Sequence, residues 1–396
     1  MNIIPFSKYT YSFIFNQVEN RNIRYIELNN VNIVGRNGIY PNCLLLADDK
    51  LISPYDEKVM SLNKESFYDD TYDISNEKIN NEHIEKTPVF FFIYNFDNYY
   101  HFIYDTLPYL CCYFKLKEKI PNLKLLVSYP NVTRNSFYKF NEDIFDLFNI
   151  KNDMIIHTNM KYEKVYVANS LTHGGLSNEP PHPDVYNLFK GLFMKETSKP
   201  LPKKIYISRR TWIHNDKSNL GTDYTQRRKM INEDLLVEQL VNKFGFEEIF
   251  CENLSMTEKI QLFQNADFII GAIGGGMCNL LFSPPITKVI CIVSPHFLDI
   301  NYRFKFSMDH TNIKYLHDTK TTSDLYRRVK IDNRIGEIVD ETDNTYIIQM
   351  SNNDVAGFNN SITFDKIEVD KNKCDFLDKG LNSPYIIDIE KLIQML

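Results

Sequence analysis

Three clusters in a chain of 396 residues carry side chains that could do chemistry. In the first, Asp267-Phe268-Ile269-Ile270-Gly271-Ala272-Ile273-Gly274-Gly275-Gly276-Met277-Cys278-Asn279, an apolar strand runs into three glycines and then an apolar helix start. Backbone N–H groups at such a start can face an anion with no Cβ in the way, so a phosphate fits there. The pattern is neither G-x-x-x-x-G-K-[ST] nor G-x-G-x-x-G, which removes support for nucleotide hydrolysis of the P-loop type and for dinucleotide binding. The competing reading is a glycine turn kept only for close packing.

The second cluster is Tyr206-Ile207-Ser208-Arg209-Arg210, a strand whose end carries two guanidinium groups, joined later by Arg227-Arg228-Lys229. Ligands of open α/β sheets sit beyond the carboxyl ends of strands, and the arginine fork matches a diphosphate. A solvated basic face is the alternative. The third cluster is Asn98-Tyr99-Tyr100-His101-Phe102-Ile103-Tyr104-Asp105. On a helix His101 and Asp105 share a face, where they could take a proton from a hydroxyl or simply form a stabilising ion pair. Metal chemistry has no comparable signal, since neither H-E-x-x-H nor C-x-x-C occurs. The acidic run Asp69-Asp70-Thr71-Tyr72-Asp73 reads as a soluble loop rather than a chelator, and Trp212 could either stack on a base or pack. No cofactor and no metal are expected.

The elements that must position these residues alternate. Short alternating runs between Ile23 and Val59 predict hairpin strands, and the acidic, Asn-rich tract Ser61 to Glu85 predicts a loop. Pro88 to Tyr94 predicts a buried strand and Tyr99 to Lys117 a helix; strands follow at Leu123 to Ser128, Met154 to Ile156 and Lys164 to Val167, with a helix at Glu142 to Phe148. After Pro180-Pro181-His182-Pro183 the alternation restarts with a helix from Val185 to Lys195 and strands at Lys204 to Ser208, Glu248 to Cys251, Phe268 to Gly271 and Lys288 to Val293. Between them lie a helix capped by Asn232 and ending near Gly245, and one opened by a Ser255/Glu258 capping box. Such alternation implies parallel sheets. From Arg328 to Val369 the pattern changes to short strands with Asn and Gly turns, which predicts a small inserted β-barrel; Asp388 to Leu396 predicts a closing helix. The expected domains are therefore 1–183, a first α/β lobe; 184–327, a second α/β lobe; 328–370, the barrel; and 371–396, the closing helix.

Composition fits a folded chain, 43% hydrophobic and 24% charged, and its net charge of -6 argues against nucleic acid as a partner. Seven scattered cysteines read as reduced thiols. No stretch approaches the roughly 20 apolar residues of a membrane span, and Met1 to Asn16 lacks a basic start and a continuous apolar run, so a cytoplasmic location is expected.

In order and wording the clusters resemble glycosyltransferase family 61. The resemblance rests on Asn98, His101 and Asp105; Ile207-Ser208-Arg209-Arg210; Arg227-Arg228 with Asn232-Glu233; Glu252, Leu254 and Ser255; and Gly271 through Asn279 followed by Leu281-Phe282-Ser283-Pro284-Pro285. It covers about residues 90 to 300 and implies a GT-B-like α/β fold of two doubly wound Rossmann-like lobes with a cleft between them. It further implies an inverting, metal-independent transfer from a nucleotide-sugar, a UDP-linked pentose or N-acetylhexosamine, to a glycan or glycoprotein acceptor. Asp105 would be the base, assisted by His101. Ser208, Arg209, Arg210, Arg228, Glu252, Gly274, Gly275, Gly276, Met277 and Asn279 would serve the donor. One departure is Ile273, where relatives carry histidine and where isoleucine cannot hydrogen-bond a donor. It keeps open a second reading, a nucleotide- or carbohydrate-binding protein without catalysis; a third is an oligomer assembled through the late barrel.

Overall fold

The computed structural model describes residues 2–12, 18–33, 44–46, 50–53, 58–61, 80–94, 96, 98–130, 135–172, 181–192, 200–210, 228–295, 312–321, 326, 328–331, 334–351, 364–376 and 383–396. Arg227, Trp212, Asp69 to Asp73 and Cys43 lie outside them.

The first sheet has a parallel half and an antiparallel half. Its parallel half contains β2 (Val89–Phe91), β3 (Lys124–Val127), β4 (Met154–Ile156) and β5 (Met160–Ala168), in the order β5-β2-β3-β4. Apolar runs such as Val89-Phe90-Phe91 suit strands covered on both faces. The long strand β1 (Val18–Ile33) pairs antiparallel with β5 and carries the hairpin extension onward through Leu44–Leu46, Lys50–Ser53 and Lys58–Ser61. One expectation is corrected here: Asn80–Glu85, read as loop, is a strand parallel to β5. Helices α1 (Tyr109–Lys117), α2 (Lys139–Leu147) and α3 (Pro183–Lys190) complete this half of the chain.

The second sheet is wholly parallel. It comprises β6 (Lys204–Ile207), β7 (Glu247–Ile249), β8 (Phe268–Ala272), β9 (Lys288–Ile292) and β10 (Ile313–Leu316), in the order β7-β6-β8-β9-β10. The chain leaves β6 through α4 (Glu233–Phe244) to β7, then returns through α5 (Met256–Asn265) to β8 on the other side of β6. That reversal puts a topological switch point between the ends of β6 and β8, the place where ligands sit in doubly wound sheets. The capping box forms as read: Glu258 N donates to Ser255 Oγ at 3.3 Å and Ser255 N to Glu258 Oε2 at 2.8 Å. Asn232 stands at the start of α4 without capping it. Its amide instead pairs with the Ile387 backbone at 2.9 and 3.1 Å, tying the end of the chain to the second sheet and its helices, where Leu392 of α6 (Ile389–Gln394) is buried.

Buried side chains from Ile23 in the first sheet to Cys291 in the second form one continuous cluster, with the inner face of α5 inside it. The late segment is an open antiparallel sheet rather than a barrel. Phe364–Asp370, Thr345–Ser351, Arg334–Glu341, Arg328–Ile331 and Asp375–Phe376 pair in that order, and among the described residues nothing joins the two edges. Cys111, Cys112, Cys251, Cys278, Cys291 and Cys374 are free thiols. Among the described residues no helix is long and apolar enough to cross a membrane.

Candidate active site

The strand β6 is Lys-Ile-Tyr-Ile, buried from Ile205 onward, so its direction is fixed and its carboxyl end delivers Ser208 and Arg209 to the switch point. Glu233, the first residue of α4, locks that end. Its Oε1 accepts hydrogen bonds from Tyr206 Oη at 2.8 Å, Arg209 N at 2.8 Å and Ser208 Oγ at 3.4 Å. Burial holds the Glu233 carboxyl above the usual range, with the Arg209 amide and Tyr206 opposing that shift. Arg209 reaches across to the neighbouring strand, where Nη1 donates to the Ile273 carbonyl at 3.2 Å.

The glycine turn follows β8. Gly274 is needed for space: a Cβ there would lie 2.5 Å from Arg209 Nη1. Gly276 lies against β6, where a Cβ would meet Ile207 Cγ2 at 2.8 Å. The residues from Gly275 to Phe282 wind as a 3-10 helix, and its opening bond runs from Met277 N to Gly274 O at 3.1 Å. The amides of Gly275 and Gly276 precede that bond and no side chain caps them, so they are the donors this turn can offer an anion.

The cluster of His101 and Asp105 sits on an irregular helical turn. Asn98 accepts from His101 N at 3.2 Å, which explains the N-x-x-H spacing as an N-cap. The expected helix from Tyr99 to Lys117 is broken. Tyr99–His101 leads into a π turn, Phe102–Thr106, in which Leu107 N bonds to Phe102 O at 2.8 Å, and α1 starts afresh after Pro108. Phe96, Phe140 and Phe145 pack on Phe102 and hold the turn. His101 Nδ1 donates to Asp105 Oδ2 at 2.6 Å, with 29% of the histidine side chain exposed and none of the aspartate's. The histidine is thus the more exposed member of the pair, and the aspartate lies behind it. A buried carboxylate behind an imidazole can orient it, and Nε2 is the ring nitrogen that this bond leaves open.

The two clusters meet. Gly275 packs against the turn, a Cβ there lying 3.8 Å from the Tyr99 ring and 4.0 Å from Tyr100 Cβ. Tyr99 Oη donates to Asn279 Oδ1 at 2.5 Å, and Asn279 Nδ2 donates to the Gly276 carbonyl at 2.9 Å. Lys259, buried in α5, places Nζ 4.4 Å from the centre of the Tyr99 ring, and burial lowers its pKa below the usual lysine value. At the rim of this contact Met256 N donates to Asp143 Oδ2 at 3.1 Å, joining α5 to α2.

Of the donor-side residues, Arg209, Gly274, Gly275, Gly276 and Glu252 gather at the switch point. Glu252 follows β7 on a short 3-10 turn, its Oε1 makes no hydrogen bond among the described residues, and burial raises its pKa. Arg228 is buried in a left-handed conformation, φ 54°, beside Tyr385, a sparsely populated backbone state for a non-glycine residue. Four of the expected residues face elsewhere. Arg210 pairs with Glu248, at 2.6 Å, and with Asp234, so its guanidinium is turned to the outer edge of the sheet. Ser208 Oγ accepts from Arg210 N at 3.1 Å within its own turn. Met277 is buried, with its sulfur under Gly271, and supports the turn from below. Asn279 is fully buried and fixes the turn rather than lining it. Tyr99, Glu233 and Lys259 were not among the expected site residues. Glu233 could have been found from the R-R-x-x-x-N-E spacing, whereas nothing local marks Tyr99 or Lys259. Among the described residues no group of three or more His, Cys, Asp or Glu side chains could hold a metal ion.

A doubly wound parallel sheet with an arginine and a glycine turn at its switch point, abutting a His–Asp pair, is the frame of a group-transfer enzyme. The Glycosyltransferase 61 family model matches residues 99–290, a segment that contains His101, Asp105, Arg209 and the whole glycine turn, and this segment is a glycosyltransferase family 61 domain. It is a glycosyltransferase. A search of the curated proteins finds no match to the chain.

Proposed function

We propose that the protein transfers a sugar with inversion, and without a metal, from a UDP-linked pentose or N-acetylhexosamine to a hydroxyl of a glycan or glycoprotein acceptor. On this reading the lobes work as a GT-B-like pair in the cytoplasm. The diphosphate lies against Arg209, Arg228 and the Gly275 and Gly276 amides, which offset the charge developing on the leaving group. Glu252, Met277 and Asn279 shape the turn and its surroundings. His101 Nε2 takes the proton of the acceptor hydroxyl as it attacks the anomeric carbon. Asp105 holds the imidazole and offsets the charge it gains. Inversion needs one displacement and one base, which the pair supplies.

The observation that carries this reading is the packing of Gly275 against Tyr99 and Tyr100, the residues next to His101. The alternative of a binding protein without catalysis drew on Ile273. That side chain is buried in the core while its carbonyl accepts from Arg209, so the position contributes through its backbone.

A thermal-shift panel of nucleotide-sugars, followed by NMR of the product anomer, tests the proposal. A UDP-sugar should raise the melting temperature by mass action, and the product should have the opposite anomeric configuration. Retention of configuration, or no shift across the panel, overturns it.

A further inference from the structure

We propose that Tyr99 is a positioning residue that sets the glycine turn from the opposite lobe, acting through Asn279. The inference rests on the donor reading above. Three contacts carry it. The Tyr99 hydroxyl bonds to Asn279 Oδ1 at 2.5 Å, the other end of the same amide bonds to the Gly276 carbonyl at 2.9 Å, and the Lys259 ammonium lies 4.4 Å from the ring centre. Each contact constrains a different degree of freedom: the hydroxyl fixes the amide's rotation, the amide fixes the Gly276 peptide, and the cation seats the ring.

The consequence is geometric. An amide that donates to Gly276 O must present its oxygen elsewhere, and only a donor satisfies that oxygen in a site where Asn279 is fully buried. Tyr99 supplies that donor from the turn that carries His101, two residues on. The Gly275 and Gly276 amides and the imidazole are thereby held in one frame, which is what a transfer between two bound substrates requires. Since the contact crosses from one sheet's helical turn to the other's, a donor phosphate seated on the turn stands at a fixed distance from the base.

The test is a double-mutant cycle on the full chain, Tyr99→Phe, Asn279→Ala and both, read by UDP titration calorimetry and by hydrogen exchange over residues 271–282. Tyr99→Phe should keep the fold, weaken UDP about tenfold and speed exchange of the Gly275 and Gly276 amides, leaving β9 unchanged. In the Asn279→Ala background it should have no further effect, because the hydroxyl acts through the amide it has lost. Unchanged affinity and exchange in Tyr99→Phe, or effects of the two substitutions that multiply, overturn the proposal. An unmutated chain that ignores UDP removes the donor reading alone. The exchange cycle then decides the role of Tyr99 by the same criterion of non-additivity.

Discussion

The Arg209 guanidinium occupies the space that a Cβ on Gly274 would need, Nη1 lying 2.5 Å from that position. The end of the arginine thus lies against the glycine turn, where Nη1 also donates to the Ile273 carbonyl. Gly274→Ala should push the flexible end of Arg209 aside. The expected result is a UDP affinity about tenfold weaker with a melting temperature nearly unchanged. Gly276→Ala should lower stability as well, because its Cβ would meet the Ile207 Cγ2 of a buried strand at 2.8 Å. Overpacking there should cost about 1–3 kcal/mol, read by urea denaturation.

Arg209 and Arg210 are adjacent, yet only the first faces the switch point. Arg209→Ala should weaken UDP binding by about ten- to a hundredfold, the scale of a lost charge-assisted pair. Arg210→Ala should leave UDP affinity within about threefold while lowering the melting temperature by a few degrees, since it unties Glu248 and Asp234. Calorimetry and thermal melts on both variants separate the roles, and equal losses of affinity would contradict the assignment.

Glu233 gives the fold a pH signature. Its carboxyl is buried and its pKa is raised, so between the unfolded carboxylate range, about 4.3, and its own folded value the native state holds one extra proton. Stability from this group is fully present below the unfolded value and is lost as pH rises through the folded one. Glu233→Gln keeps an acceptor for Tyr206 and Arg209 without the titration. Relative to the parent, its urea midpoint should therefore rise with pH across that window and then level off, and a difference independent of pH would refute the assignment.

If arginines and backbone amides offset the leaving group's charge, turnover should survive excess EDTA. Loss of activity that Mn2+ or Mg2+ restores would move that role to a metal ion.

The second sheet was legible because its strands are continuous apolar runs and the helices between them are punctuated by local signals. The Ser255/Glu258 capping box and the Gly245 C-cap, φ 70°, stand where the sequence places them. The strand Asn80–Glu85 was not legible, because a polar run shows no alternation from which pairing with β5 could be read. Alternation in the late segment marks its strands correctly but contains nothing about closure, which is set by which edges meet. At the site, both members of the His101 and Asp105 pair could be named from their spacing. Their order of burial could not, because it depends on a π turn whose extra residue leaves no mark in composition. Tyr99 and Asn279 are 180 residues apart, and no periodicity connects them. Arg210 has the same kind of side chain as Arg209, and only the positions of Glu248 and Asp234 divert it.

The central claim is that one lobe holds the diphosphate while His101, backed by Asp105, takes the proton. His101→Ala, compared with the parent chain for UDP affinity by calorimetry and for sugar transfer at saturating donor, tests it most directly. The account predicts an affinity within about threefold of the parent and a kcat lower by about 10²–10⁴-fold, the usual contribution of a positioned base. Transfer at the parent's rate, or a loss of UDP binding as large as the loss of turnover, would contradict it.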